Sequence, residues 1–257
     1  MKLFRIINLI FLFSLVLITE VYSAVYSAKT SASTYKITIT RIELCETGSS
    51  STTCTNPKAI YDGGDSGLID IASTTAGAAA ASLGSLTKAT MGTSYTWMQV
   101  TMKRAVTISG GGTALSKSDQ ACYTKDGTAG TNTTSALGST TAGDEADTVV
   151  FMGISGTTGP NDNVNTTTAG DGTGTDSTAG VFDSGDDYLE WRGELTAPFI
   201  LKAGSIPSAK IAFGTSAALG FYNTNTGTND CDTRADGAAH AAHGFYAAEP
   251  DVTITLY

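Results

Sequence analysis

The sequence predicts an all-β fold, namely a β-sandwich with long polar loops and at most one short helix. Three observations support this class. Thr, Ser, Gly and Ala dominate the composition, segments with the apolar spacing of amphipathic helices are scarce, and several segments alternate apolar with polar residues. Thr suits the outer face of a strand, and Gly and Asn suit the turns between strands. The length of 257 residues fits a single sizeable domain.

The clearest strand candidate is the segment 34–45. Its apolar residues occupy odd positions up to Ile39 and even positions at Ile42 and Leu44. Alternation of this kind is typical of a strand with one buried face. The change of phase predicts a β-bulge near residues 40–41, because one extra residue would return the apolar side chains to the inner face.

Further strand candidates lie along the rest of the chain. They are the segments 68–71, 93–108 (interrupted by Arg104), 147–154, 188–191, 199–201, 211–213 and 252–257. We expect them to form one sandwich with Greek-key or immunoglobulin-like connections, in which the C-terminal strand pairs with 34–45. The Ala-rich segment 76–83 is the single helix candidate.

Two segments between the strand candidates are predicted to be long loops. Residues 109–147 and 155–180 are rich in Gly, Thr, Ser, Asn and Asp. Such segments bury too little apolar surface to offset the entropy lost on ordering. Long loops of this kind are either functional or disordered.

The first 23 residues have the order of a secretory signal peptide. Lys2 and Arg5 precede an apolar run at 6–18, and cleavage after either of the small residues Ser23 and Ser27 fits the pattern. That run is shorter than the roughly 20 residues that span a bilayer, and no later run is long enough. We therefore expect a mature domain of residues 24–257 that is secreted, cell-surface or periplasmic, with no transmembrane segment after cleavage.

The cysteines predict disulfides, in agreement with export. The sequence contains four, Cys45, Cys54, Cys122 and Cys231, which allow three pairings. Cys45 and Cys54 flank a Ser/Thr-rich segment and are placed to close it locally, in which case Cys122 and Cys231 would join distant parts of the chain. A zinc site is disfavoured because no Cys-x-x-Cys pair is present.

The charge of the chain argues against nucleic acid and anionic membranes as partners. Residues 1–23 contain Lys2, Arg5 and Glu20, so their removal changes 15 basic and 24 acidic residues to 13 and 23, a net charge of −10. Phosphate-binding proteins need clustered Lys and Arg, which this acidic chain does not provide.

We expect no cofactor other than calcium, for which two groups of acidic residues are candidates. The favoured group is Asp183, Asp186, Asp187 and Glu190, and the other is Asp62, Asp65 and Asp70. Calcium takes six to eight oxygen ligands, often from a loop, but neither group has the EF-hand spacing. Solvated turns are the competing interpretation of both groups.

No catalytic constellation is found, and we expect a protein that is not an enzyme. The segment Gly64-Asp65-Ser66-Gly67 resembles the nucleophile motif of chymotrypsin-like proteases. The two histidines of the chain, however, follow it far along the sequence, whereas those proteases place His and Asp before the Ser. A turn before the strand candidate 68–71 is the better interpretation.

The segment 34–108 resembles a known family of modules. Its succession is YKITITRIEL, then IDI at 69–71, then MGTSYTWMQVTM at 91–102. This pattern is similar to prealbumin-like β-sandwich modules of exported bacterial proteins, in which a Gly-x-Tyr-Thr turn starts a strand that returns across the sandwich. Here Ser94 is an additional residue in that turn. The resemblance implies a surface, adhesive or carrier domain, and it transfers no functional residue.

Three functions follow from these observations, in order of preference. The first is an exported structural or adhesive protein of the cell surface, which self-associates through edge strands or binds a surface partner. The second is a ligand-binding module for carbohydrate or calcium, in which Trp97, Trp191, Tyr222 or Tyr246 stacks on a sugar. In the competing interpretation both tryptophans are core residues. The third is a secreted hydrolase that uses a pair of carboxylates.

Overall fold

The computed structural model describes residues 26–73, 83–112, 121–128, 136–152, 188–223 and 243–257. Strands are the dominant secondary structure of this described part, and its helical residues form short 3-10 turns at Leu86–Lys88 and Ala142–Asp144. The predicted all-β class is therefore confirmed. In chain order the strands are β1 (Tyr26–Thr30), β2 (Thr34–Ile37), β3 (Ile39–Glu46), β4 (Lys58–Tyr61), β5 (Ile69–Asp70), β6 (Ser94–Lys103), β7 (Ala105–Ser109), β8 (Gly111–Gly112), β9 (Cys122–Thr124), β10 (Gly127–Thr128), β11 (Gly138–Ser139), β12 (Thr148–Phe151), β13 (Tyr188–Ile200), β14 (Ala209–Gly214), β15 (Leu219–Asn223), β16 (His243–Ala247) and β17 (Asp251–Leu256).

The strands form four sheets. The largest has six strands in the order β14-β17-β13-β6-β3-β4, and the second has five in the order β10-β12-β7-β2-β5. Two three-stranded sheets, β1-β15-β16 and β11-β9-β8, complete the described fold. Apolar side chains of the two largest sheets belong to one buried cluster, which makes the arrangement sandwich-like.

The two largest sheets are joined at a corner where two neighbouring strand segments pass from one sheet to the other. At Thr38 the chain leaves β2 and enters β3, and at Arg104 it leaves β6 and enters β7. The backbone N–H of Lys103 donates to the carbonyl of Thr38 at 2.9 Å and holds the two segments together. Arg104 is buried, and its Nε donates to the carbonyl of Met152 at 3.0 Å.

The predicted β-bulge lies where the change of phase placed it. In the ladder between β3 and β6, Ile39 faces Met102 and Arg41 faces Thr101, so Thr40 is the extra residue. Ile39, Ile42 and Leu44 are all buried as a consequence.

The C-terminal strand has different partners from those predicted. It does not pair with 34–45, because β17 lies between β13 and β14. It is antiparallel to β14 along six residue pairs and parallel to β13 at Leu195 and Ile254. Alternation predicted the strand correctly, but it carries no information about a partner that is distant in sequence.

The loop prediction for 109–147 differs from the structure in the described residues. Four short strands, β8 to β11, lie in this segment and are paired in two of the sheets. Cys122 and Thr124 of β9 are fully buried, so this part is anchored to the core. The predicted loop at 155–180 and most of the helix candidate at 76–83 lie outside the described residues.

Cys45 and Cys54 form a disulfide, as the local pairing predicts. Cys122 is also disulfide-bonded. Cys231 lies outside the described residues, and the described part contains no free cysteine. As for membrane spans, the described residues include no helix that is long and apolar enough to cross a bilayer.

We expect the variant Cys45→Ala/Cys54→Ala to fold with a lower free energy of unfolding. The bond spans a sequence separation of 9, and closing a loop of that size contributes about 2–3 kcal/mol in the chain-entropy model. Alanine is chosen because Cys45 is fully buried. Urea unfolding of this variant and of wild type, both without reductant, measures the effect, and an unchanged midpoint would contradict the assignment.

Candidate functional site

A cleft lies where β13 and β17 diverge. Within the described strands, β13 pairs with β17 only where Leu195 meets Ile254. The residues that precede this pair in β13 lie apart from those that precede it in β17. The space between them has a volume of about 370 Å³ and is open to solvent. Residues 191–194 of β13 form one wall, and residues 249–252, which lead into β17, form the other.

Irregular pairing of β13 creates this divergence. Glu194 faces Trp97 of β6, but the next pair in the ladder is Phe199 with Tyr95, so β13 has three extra residues here. Pro198 lies within this irregular stretch, where its lack of an N–H costs no ladder hydrogen bond. Leu195, at the start of the same stretch, contacts β17 instead of β6.

Both tryptophans of the sequence line the cleft. Trp191 is buried, and its indole Nε1 donates to Glu249 Oε1 at 2.7 Å. Trp97 is half-buried on the neighbouring strand β6. The cleft therefore combines one aromatic side chain that is fixed by a hydrogen bond with another that is partly open to solvent.

Glycine at position 193 makes the position of Trp191 possible. A Cβ at Gly193 would lie 2.2 Å from Cη2 of the Trp191 indole, so any larger residue would displace the ring. The same relation holds in the three-stranded sheet, where a Cβ at Gly220 would lie 2.1 Å from the ring of Tyr246. Aromatic side chains that cover strand glycines are a known way to fix register.

The remaining residues of the cleft are mostly charged. Lys29 of β1 and Arg192 supply cationic groups, while Glu194, Glu249 and Asp251 supply carboxylates. Lys29, Glu194 and Asp251 are exposed. Hydrogen-bond donors and acceptors thus face the same space as the aromatic rings.

An apolar cavity lies behind the cleft, between the two largest sheets. It has a volume of about 60 Å³, and its wall includes Trp191, Glu249, Pro250 and Val252, which also line the cleft. The rest of its wall is apolar apart from the hydroxyl of Tyr35, which donates to the carbonyl of Ala248 at 3.0 Å. Burial, together with nearby Glu249, raises the pKa of Tyr35 far above its usual range, so this hydroxyl stays neutral.

A second polar cluster lies on the outer face of β3, β6 and β13. Gln99 Nε2 donates to Glu43 Oε2 at 2.7 Å and to Glu190 Oε1 at 3.4 Å. Arg41 pairs with Glu43 at 2.9 Å, and Arg192 pairs with Glu190 at 2.6 Å. Glu43, Gln99 and Arg192 are buried, although their strand positions alternate with those of the core side chains. Each carboxylate therefore has an arginine partner and shares the Gln99 amide.

The environment of Glu190 disfavours its charged form. Burial is the main reason that the pKa of Glu190 lies above its ordinary value of 4.5, and the neighbouring Glu43 adds to this rise. Arg192 and Arg41 act in the opposite direction. Glu190 is the one member of the favoured calcium group within the described residues, because Asp183, Asp186 and Asp187 lie outside them.

Two of the three other calcium candidates, Asp65 and Asp70, have structural partners. Asp65 pairs with Lys103, and Asp70 Oδ1 accepts from the backbone N–H groups of Tyr35 and Ala72 at 3.1 Å each. Within the described ranges, no group of three or more His, Cys, Asp and Glu side chains is placed to hold a metal ion.

The segment Gly64–Gly67 is irregular chain that leads towards β5, with a bend at Gly64. Ser66 Oγ accepts from the backbone N–H of Ile39 at 2.9 Å and donates to the carbonyl of Gly67 at 2.8 Å. Gly64 and Gly67 adopt positive φ angles of 79° and 75°, which favour glycine. The Ser66 hydroxyl thus holds this segment against the start of β3.

The structure brings together only part of the predicted aromatic set. Trp97 and Trp191 share the cleft, whereas Tyr246 is buried in the sheet β1-β15-β16. The side chain of Tyr222 lies outside the described residues. The sequence interpretation missed Lys29, Arg192, Glu249 and Asp251, because no local motif links residues that are so far apart in the chain.

No protein-family model, curated protein or solved structure matches this chain. The resemblance of residues 34–108 to prealbumin-like modules therefore stays a prediction.

We expect Glu190→Gln to change how stability depends on pH. Because the pKa of Glu190 is raised on folding, the folded protein binds this proton more tightly than the unfolded chain does. Wild-type stability is then highest, with respect to this group, below pH 4.5, and it falls as the pH rises through the raised pKa. Gln cannot ionise, so the stability of the variant does not fall with pH for this reason.

Urea unfolding of both proteins at pH 4 and pH 7 measures this effect. The difference in free energy of unfolding, Glu190→Gln minus wild type, should be larger at pH 7 than at pH 4, which means that the variant is relatively more stable at pH 7. An equal difference at the two pH values would contradict the raised pKa.

Proposed function

We propose that this chain is an exported, non-enzymatic adhesive protein that binds carbohydrate in the cleft between β13 and β17. One observation carries the proposal, namely that both tryptophans and five charged side chains line one solvent-open cleft. The aromatic side chains suit the apolar C–H face of a sugar ring, and the charged side chains suit its hydroxyl groups.

The apolar half of a sugar is the C–H face of its ring, which packs against aromatic side chains. Trp97 is half-buried and therefore keeps part of its indole open for such packing. Tryptophan offers a large apolar surface at a low cost in conformational entropy. The hydrogen bond from Trp191 to Glu249 leaves that second indole already ordered before a ligand arrives.

The polar half of a sugar consists of hydroxyl groups, which both donate and accept hydrogen bonds. Carboxylates accept from hydroxyls, and Lys and Arg donate to them. Glu194, Asp251 and Lys29 are exposed at the cleft and have the chemistry for both roles. Hydrogen bonds with an ionised partner are roughly twice as strong as neutral ones.

Export and adhesion are proposed from the sequence together with the disulfides. The signal-like residues 1–23 and the Cys45–Cys54 bond support an extracytoplasmic, secreted or cell-surface location. Self-association through the C-terminal strand is disfavoured, because β13 and β14 occupy both edges of β17. The edges of the largest sheet are β4 and β14, so we propose these strands for any edge-to-edge contact.

Hydrolysis is the weaker candidate. Glu43 and Glu190 each accept from Gln99 Nε2, at 2.7 and 3.4 Å, so their accepting oxygens are at most 6.1 Å apart, the sum of these distances. This upper bound is compatible with the ~5–5.5 Å between the two carboxyl groups of retaining glycosidases and excludes the wider spacing of inverting ones. The side chain of Glu43, however, is only 5% exposed and is paired with Arg41, which disfavours its contact with a substrate.

Calorimetric titration of the exported protein, with its disulfides intact, against neutral oligosaccharides tests the proposal. Trp97→Ala should weaken binding by about tenfold or more, because the stacking surface is lost. Tyr257→Ala is the matched control, since Tyr257 is an exposed aromatic residue outside the cleft lining, and it should bind as wild type does. Absence of binding to every oligosaccharide, or equal affinity of both variants, would refute the carbohydrate site.

A further inference from the structure

The cleft and the apolar cavity behind it share one wall. Trp191, Glu249, Pro250 and Val252 line both spaces. A ligand in the cleft therefore lies against side chains that also line the cavity. The hydrogen bond between Trp191 and Glu249 lies in the wall itself.

The volume of the cavity limits the group that it can hold. About 60 Å³ is several times the ~10–15 Å³ that one water-sized probe occupies, and it is well below the ~150 Å³ of a cavity that binds benzene. A methyl-sized group fits, whereas a ring or a fatty acyl chain does not.

The chemistry of the lining selects an apolar group over water. Ile37, Val100, Ile211 and Ile254 are among the side chains that face the space. A buried water needs two to four polar partners. The Tyr35 hydroxyl already donates to the carbonyl of Ala248, so a water molecule would find few partners, while a methyl group would bury apolar surface.

The shared wall also contains a carboxylate, the side chain of Glu249. A carboxylate accepts several hydrogen bonds at once, so Glu249 can accept from an amide N–H in addition to the Trp191 indole. A group with a methyl end and an adjacent amide N–H matches this pair of features. On a sugar, that group is the acetamido substituent.

We propose that the sugar bound in the cleft carries an acetamido group, whose methyl enters the apolar cavity and whose N–H donates to Glu249. The inference rests on the proposed function and narrows its ligand to N-acetylated hexosamines. Neutral sugars that lack the substituent would leave the cavity empty, and a hydroxyl group would have to replace the amide N–H as the donor to Glu249.

Titration of wild-type protein with three oligomers of equal length provides the test. N-acetylglucosamine oligomers should bind at least about tenfold more tightly than glucose oligomers, because the methyl group is buried and a charge-assisted hydrogen bond is formed. Glucosamine oligomers should bind as weakly as glucose oligomers. Measurement at 0.15 M salt or above screens the attraction between these cationic oligomers and the acidic chain.

A cavity-filling variant locates the preference. Val252 lines both spaces, so the additional methylene of Val252→Ile should occupy the space for the methyl group and lower the preference for the acetylated oligomer to about twofold or less. Thr253→Ile is the matched control, because Thr253 is exposed on the other face of β17, and it should keep the wild-type preference. If Val252→Ile fails to fold, Glu249→Gln replaces it and should also lower the preference, since Gln keeps the side-chain shape but offers a neutral carbonyl oxygen instead of a carboxylate as acceptor.

Each outcome decides one claim. Equal affinity for acetylated and glucose oligomers overturns the acetamido proposal and leaves the carbohydrate site standing. If the glucosamine oligomers bind more tightly than the acetylated oligomers, the acetamido proposal is also overturned, since attraction between the cationic oligomers and the acidic chain then dominates binding. No binding of any oligomer overturns the proposed function itself. A tenfold preference that Val252→Ile removes and Thr253→Ile retains supports the proposal, whereas a preference that Val252→Ile retains in full overturns it.

Discussion

The fold depends on one corner, where two adjacent strand segments pass from the six-stranded sheet to the five-stranded sheet. The segments β2–β3 and β6–β7 turn at Thr38 and Arg104, and the hydrogen bond from Lys103 N–H to the Thr38 carbonyl joins them at the turn. Because the same two segments belong to both sheets, the sheets cannot separate without breaking this corner. Their apolar faces are thereby held against each other around one core.

The cleft results from the irregular pairing of β13 with β6. There β13 runs along β6 until Glu194 and then makes its irregular stretch, at which Leu195 meets β17. The two strands touch at this position and diverge before it, so a space opens between them. The hydrogen bond from Trp191 to Glu249 spans the divergence. A polar cleft and an apolar cavity thus come to share one thin wall.

Alternation of residues predicted several strands and their inward faces, among them β3, β6 and β7, but it missed β1, β4, β8 to β11, β15 and β16. The phase change between Ile39 and Ile42 located the bulge at Thr40, and the common parity of Met98, Val100, Val106 and Ile108 placed them in the core. Arg104 has that same parity and is also buried, and its Nε donates a hydrogen bond to the carbonyl of Met152.

Partners between distant segments were beyond prediction for a physical reason. A strand pattern records which face is apolar, but pairing depends on the whole fold, so nothing local joins Leu195 to Ile254 or Trp191 to Glu249. The burial of Glu43 and Gln99 was also missed, because their positions alternate with core residues and their hydrogen bonds form only after β3, β6 and β13 are side by side.

The most direct test of the cleft as the binding site is the ¹⁵N–¹H spectrum of the two tryptophan indoles. The chain contains two tryptophans, so the spectrum has two indole signals, and both belong to the cleft. Titration with an N-acetylglucosamine oligomer should shift both signals, that of Trp191 because its N–H donates to Glu249. Binding that is seen by calorimetry while neither indole signal moves would contradict the account.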